Sequence, residues 1–169
     1  IDPNADDLAE IAMCAAETAR RFDVDPRVAF LSYSNFGSSR HASSEKVRKA
    51  VDIVRAKMPE LIADGEMQAD TAFSEDVLAG RYPFSALKEA ANVLIFPNLE
   101  AAHIATRMIG VIGGATVVGP ILMGMRSPMN SLQRRPLPVG GRSESISPVS
   151  RSNATTAIPS IRCAASPSV

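Results

Sequence analysis

Two groups of residues have the types and spacing for chemistry. The first is Ser34-Asn35-Phe36-Gly37-Ser38-Ser39-Arg40-His41, which follows a short apolar run and precedes a helix-like pattern. An α/β sheet binds its ligands outside the carboxyl ends of its strands. There a glycine such as Gly37 permits close backbone approach. Serine hydroxyls and backbone N–H groups near a helix N-terminus attract an anion, and Arg40 can pair with phosphate. On these residues alone, an ordinary polar turn that caps the next helix fits equally well. The second group is Asp64, Glu66 and Asp70, three acids in seven residues. They suit a general base with a partner, or a metal site. A structural role fits better: Asp64-Gly65 is a turn, and Glu66 and Asp70 sit four apart on a short helix face. The two histidines, His41 and His103, have no HxxxH or CxxC partner, so no zinc site is expected. His103 stands beside apolar helical positions and is expected at the edge of the core. Asn98 and Glu100 suit a helix start, and Asn98 could also face a cleft.

The elements that must position these groups follow from pattern. Asn4 or Asp6 can cap a helix from near Ala5 to near Phe22, with Leu8, Ile11, Ala12, Ala15, Ala16 and Ala19 at helical spacing. Val28 to Tyr33 is a continuous apolar run, as in a strand buried on both faces of a parallel sheet. Ser43 or Ser44 can cap a second helix, with Val47, Ala50, Val51, Val54 and Met58 inward and Pro59 ending it. Leu61 to Ala63 reads as a short strand running into the Asp64-Gly65-Glu66 turn. Met67 to Phe73 and Glu75 to Gly80 read as short helices. Asn92 to Phe96 is a clear strand, and Asn98 can cap a third long helix, with Ala101, Ala102, Ile104, Ala105, Met108 and Ile109 apolar. Ala115 to Val118 and Ile121 to Met125 read as strands. Strand–helix alternation predicts an α/β fold with a mainly parallel sheet.

Composition bounds the classes. The chain has 169 residues and 46% hydrophobic residues, enough for one domain with a core. No apolar run reaches the roughly 18 residues of a membrane span, so no membrane partner is expected. The start of the chain lacks the features of a signal peptide, and it also lacks Met, as a fragment of something longer would. Cys14 and Cys163 form no metal spacing and read as reduced thiols of a cytoplasmic protein. Residues 1–126 carry net charge −4 and residues 127–169 carry +4. The mildly acidic body argues against nucleic acid as a partner.

Three blocks in order carry a more specific signal. They are Val28-Ala-Phe-Leu-Ser-Tyr-Ser-Asn-Phe-Gly-Ser38, Asp64-Gly-Glu-Met-Gln-Ala-Asp70 and Ala91-Asn-Val-Leu-Ile-Phe-Pro-Asn-Leu-Glu100. Together they resemble the phosphate acetyltransferase (phosphotransacetylase) family, and within it the phosphotransacetylase-like domain at the C-terminal end of bacterial NADP-dependent malic enzymes. The resemblance runs from about Ala9 to Gln133. It implies a three-layer α/β fold like isocitrate and isopropylmalate dehydrogenases. It also implies acetyl-CoA or CoA as ligand, contacted on the phosphate or pantetheine side through Ser32, Ser34, Gly37, Ser38 and Arg40, with Asn130 and Arg134 further along. The active family shows Pro-x-Asn-x-Leu-Ser-Arg-Gly, with an aspartate six residues after the arginine. Here the matching stretch is Pro128-Met-Asn-Ser-Leu-Gln-Arg-Arg135. Gln133 replaces the serine, Arg134 matches the arginine, and Gly140 stands where the aspartate would be. Glutamine supplies no hydroxyl, and no carboxylate is left to take the thiol proton of coenzyme A.

No catalytic residue is therefore expected in this chain. The resemblance implies a regulatory acetyl-CoA sensor that helps form a homo-oligomer. The parent reaction would be oxidative decarboxylation of malate, with NADP and Mg or Mn held in an upstream domain. A working phosphate acetyltransferase is the alternative. Residues 1–132 form the family-like part. Residues 127–169 hold six prolines and ten serines with no Lys and no aromatic residue, and residues 133–169 read as a disordered or frame-shifted tail. Translation of the other two frames from about Gln133 should yield an amphipathic helix if the frame has slipped.

Overall fold

The computed structural model describes residues 1–118 and, beyond them, the backbone of 121–122, 129–130 and 155–157. Helix α1 (Ala5–Arg21) begins at Asn4, whose side chain accepts from the Asp7 N–H while the Asp7 carboxylate accepts from the Asn4 N–H. This reciprocal pair satisfies two otherwise orphaned donors at the helix start. Strand β1 (Arg27–Leu31) leads into the serine-rich loop, and helix α2 (Ala42–Lys57) follows it. His41 caps α2 by accepting from the Ser43 N–H, so the cap lies two residues earlier than the serines suggest. Strand β2 (Ile62–Met67), helices α3 (Ala69–Phe73) and α4 (Glu75–Arg81), strand β3 (Val93–Ile95) and helix α5 (Leu99–Ile112) complete the body.

Strands β1, β2 and β3 are parallel, with β1 between the other two. Alternate residues of β1 and β3 enter two separate cores. Val28, Phe30, Val93 and Ile95 meet α1 and α2 on one face. Ala29, Leu31, Leu94 and Phe96 meet Ala72, Leu78 and Ala102 on the other. A sheet with helices on both faces is the three-layer α/β arrangement expected, and it explains why these strands read as unbroken apolar runs. The inward positions named for α1 are buried as predicted.

Several expectations are corrected. The segment Asp64-Gly65-Glu66 is not a turn. Pairing with β1 carries the strand through to Met67, with one irregularity: Gly65 stands opposite Phe30 and Met67 opposite Leu31. Glu66 is the extra residue, so it lies on a strand bulge rather than on a helix beside Asp70. Residues 114–118 form no strand. Of the six apolar residues noted on α5, only Ala102 is buried, and Ile104, Met108 and Ile109 are exposed. Strand β4 (Ile121–Leu122) pairs antiparallel with β5 (Met129–Asn130). Strand β6 (Thr155–Ala157) joins the sheet parallel to β3, inside the stretch read from sequence as a disordered or frame-shifted tail. Its two threonines are β-branched and suit a strand. Cys14 is disulfide-bonded, not a free thiol. Strand β6 lies against α1, the helix that carries Cys14, a proximity that sequence spacing does not reveal. Among the described residues no helix is long and apolar enough to cross a membrane.

Candidate functional site

The loop after β1 is built around one carboxylate. Glu66 is fully buried, and its Oε1 accepts from the Gly37 N–H (2.8 Å), the Ser34 hydroxyl (2.9 Å) and an Arg48 guanidinium nitrogen (3.0 Å). Its Oε2 accepts from Arg48 Nε at 3.0 Å. Burial alone would raise this carboxyl's pKa, but the hydrogen bonds from Arg48, Gly37 and Ser34 outweigh it and hold the pKa below the usual range. The donors that looked ready for an external anion therefore already surround an internal one. The loop closes further on itself. The Ser38 hydroxyl accepts from the Asn35 N–H and meets the Ser34 hydroxyl at 3.0 Å. Asn35 and Gln68 exchange a reciprocal pair of hydrogen bonds at 2.7 and 3.0 Å, tying the loop to the end of β2.

Asp64 is likewise buried and occupied, accepting from Arg55, the Ser85 hydroxyl and the Ala86 N–H. Asp70 is exposed. His103 is exposed on α5 rather than at a core edge. Among the described residues no group of three His, Cys, Asp or Glu side chains could hold a metal ion.

A cleft of about 460 Å³ opens beside this loop, at the carboxyl ends of β1 and β3. Its walls are Ser32 and Tyr33 after β1, Ala42, Ser43 and Lys46 on the first turns of α2, Pro97 and Asn98 between β3 and α5, and Asp2. Residues 42, 43 and 46 share one side of a helix because three- and four-residue steps align. Asn98 caps α5 by accepting from the Ala101 N–H at 2.8 Å. Both helices thus present the positive ends of their dipoles to the opening. Of the residues proposed for ligand contact, Ser32 lines this cleft. Ser34, Gly37 and Ser38 are not among its walls; they are bonded to Glu66 or to one another. Arg40 is exposed without a hydrogen bond or ion pair among the described residues. Asn130 lies in β5, and its side chain, with Gln133 and Arg134, falls outside the described residues. Sequence reasoning missed Lys46. Its one signal was the α2 periodicity, which sets it one turn beyond the cap and off the apolar side.

The cleft position, the parallel sheet and the serine loop are what the resemblance implied, and direct comparison decides the family. Residues 1–136 match the model of the phosphate acetyl/butaryl transferase family. The chain belongs to that family. It is 50% identical over 132 residues to the NADP-dependent malic enzyme of Escherichia coli K12, covering 78% of this chain and 17% of that protein. It is 47% identical over 134 residues to the phosphate acetyltransferase of Bacillus subtilis 168, covering 79% and 42%. Among solved structures, a phosphotransacetylase from Streptococcus pyogenes superposes with a TM-score of 0.75 at 42% identity, covering 80% of this chain and 41% of that one. The EutD phosphotransacetylase from Staphylococcus aureus gives 0.73 at 40% identity, covering 78% and 41%. The chain therefore spans less than half the length of these relatives.

Proposed function

We propose that this chain is part of the regulatory phosphotransacetylase-like domain of an NADP-dependent malic enzyme. It binds acetyl-CoA or CoA in the cleft between β1, α2 and α5 and transfers no acetyl group. One observation carries this. The stretch Pro128-Met-Asn-Ser-Leu-Gln-Arg keeps the family frame but places Gln133 where acyl transfer needs a hydroxyl. The 50% identity to a malic enzyme supports the same parent. The chemistry of the cleft fits the ligand: a lysine, two serines and two helix starts suit phosphate, and Pro97 and Tyr33 offer apolar surface. Its volume falls within the range of small-molecule sites. NADP and the divalent metal would belong to an upstream catalytic domain. Acetyl-CoA would bias that domain by binding two global states unequally. A cytoplasmic location and the break between a family-like part, residues 1–132, and an unrelated tail, residues 133–169, belong to the same proposal.

The domain also self-associates in this proposal. Ile104, Met108, Ile109, Val111 and Ile112 form an exposed apolar run on α5, of the kind that marks interaction surfaces. The second reading, a working phosphate acetyltransferase, is favoured by the likeness to solved phosphotransacetylases and by Arg134. Calorimetric titration with acetyl-CoA, paired with an assay for acetyl phosphate formation, separates the two. Binding without turnover is expected. Turnover would establish the acyltransferase, and absence of binding would leave a purely structural module.

A further inference from the structure

The cleft holds a cation already paired with an anion from its own chain. Lys46 Nζ lies 2.6 Å from Asp2 Oδ1 and donates to the Pro97 carbonyl at 3.1 Å. The lysine side chain is 21% exposed and the aspartate 77%. Asp2 is held in place rather than loose. On one side the Ile1 carbonyl accepts from the Leu99 N–H at 3.1 Å, and on the other Pro3 is buried. Asp2 thus lines the same cleft as Ser32, Ser43, Lys46 and Asn98.

We propose that Lys46 is the anion-binding residue of this cleft, and that Asp2 is an internal stand-in that the ligand's phosphate displaces. The inference rests on the cleft being the ligand site, and it adds the residue that recognises the anion and a contact that competes with it. Three features favour displacement. An ion pair with one well-exposed partner is worth little in water, so Asp2 gives way easily. A phosphate brings more charge and three acceptor oxygens, which Lys46 and the nearby Ser32 and Ser43 hydroxyls can share. The Pro97 carbonyl keeps the ammonium aimed at the cleft after Asp2 leaves. The anion can be free phosphate or a phosphate of the coenzyme, since Lys46 recognises the shared chemistry.

The test uses the full chain, inorganic phosphate and CoA, with binding followed by calorimetry. Asp2→Asn should tighten phosphate binding about threefold to tenfold, because the competitor is gone. Lys46→Met should weaken it at least tenfold. Wild-type phosphate affinity in Lys46→Met, or no gain in Asp2→Asn, would overturn the proposal. Asp2 is exposed, so Asp2→Asn reads out even if Lys46→Met folds poorly. Competition between phosphate and CoA would assign the anion to the coenzyme, and simultaneous binding would assign it to free phosphate; either supports Lys46 as the receptor. The two proposals fail separately. Phosphate and CoA each binding equally to wild type and both variants sinks the Lys46 assignment alone. Phosphate binding that responds to both variants, with no CoA binding, sinks the coenzyme proposal alone. A chain that binds neither ligand refutes both.

Discussion

At the scale of single residues, Glu66 decides the shape of the loop. A fully buried carboxylate with four short donor contacts, two of them from one guanidinium, leaves those donors unsatisfied if it is removed. Glu66→Gln keeps the volume but replaces one acceptor oxygen by an NH₂ that faces donors. A loss of about 2–3 kcal/mol in urea unfolding is expected. The pH dependence follows from the direction of the shift. The folded pKa lies below the ordinary value, so ionised Glu66 stabilises the fold above about pH 4.3, and that contribution fades as the pH falls through the folded value. The urea midpoint of the wild type should therefore fall on acidification, while Glu66→Gln lacks this component. Parallel curves for the two proteins would show that the carboxylate is not the titrating group. Asp2 shifts in the same direction, through its hydrogen bond to Lys46 and the charge of that lysine, but it is exposed and adds little to stability.

At the scale of elements, the β2 bulge explains what sequence reading caught and what it missed. Gly65 has φ +145°, and a Cβ there would meet the Phe30 carbonyl oxygen at 2.7 Å and Phe30 Cβ at 2.9 Å. The first of these is central-strand backbone, which cannot yield cheaply. Gly65→Ala should cost about 3 kcal/mol or more, and a thermal midpoint within a degree or two of wild type would contradict the close approach. Asp-Gly read locally is turn chemistry, and only the long-range pairing with β1 makes it a strand. The extra residue also reverses sides. Ala63 faces the α1–α2 core while Met67 faces the other, so a strict two-residue alternation could not place both. By contrast, α1, β1 and β3 were legible, because helical spacing and unbroken apolar runs are local signals. The site was half legible. The serine loop could be located, since ligands of α/β sheets gather at strand ends. The partner that occupies its donors comes from residue 66, which no local pattern connects to residues 34 and 37. Lys46 went unseen for the same reason, its counterparts being Asp2 and Pro97.

At the scale of the whole molecule, the two sides of the sheet are covered unequally. Helices α1 and α2 bury a continuous core over one face. On the other face α5 buries Ala102, while Met108 is 53% exposed, Ile112 79% and Val111 84%. A helix with this much apolar surface toward solvent conflicts with an isolated soluble body, since water-facing apolar runs favour association. The predicted self-association should therefore depend on α5 and not on the core. Ile109→Glu and Ile112→Glu place charge in the exposed run without removing a buried contact. Sedimentation velocity across a concentration series should show wild-type chains associating and the variants shifted toward monomer by at least several-fold in apparent dissociation constant. Thermal stability, measured where the wild type is monomeric, should change by about 0.5 kcal/mol or less, as for other surface substitutions. Because the cleft lies at the N-terminal end of α5 and the apolar run at the other, acetyl-CoA affinity per chain should survive both variants. If association persists unchanged in Ile112→Glu, the contact lies elsewhere and α5 serves another surface. If affinity for acetyl-CoA falls together with association, the cleft is completed by the second copy, and the ligand site and the interface must then be treated as one.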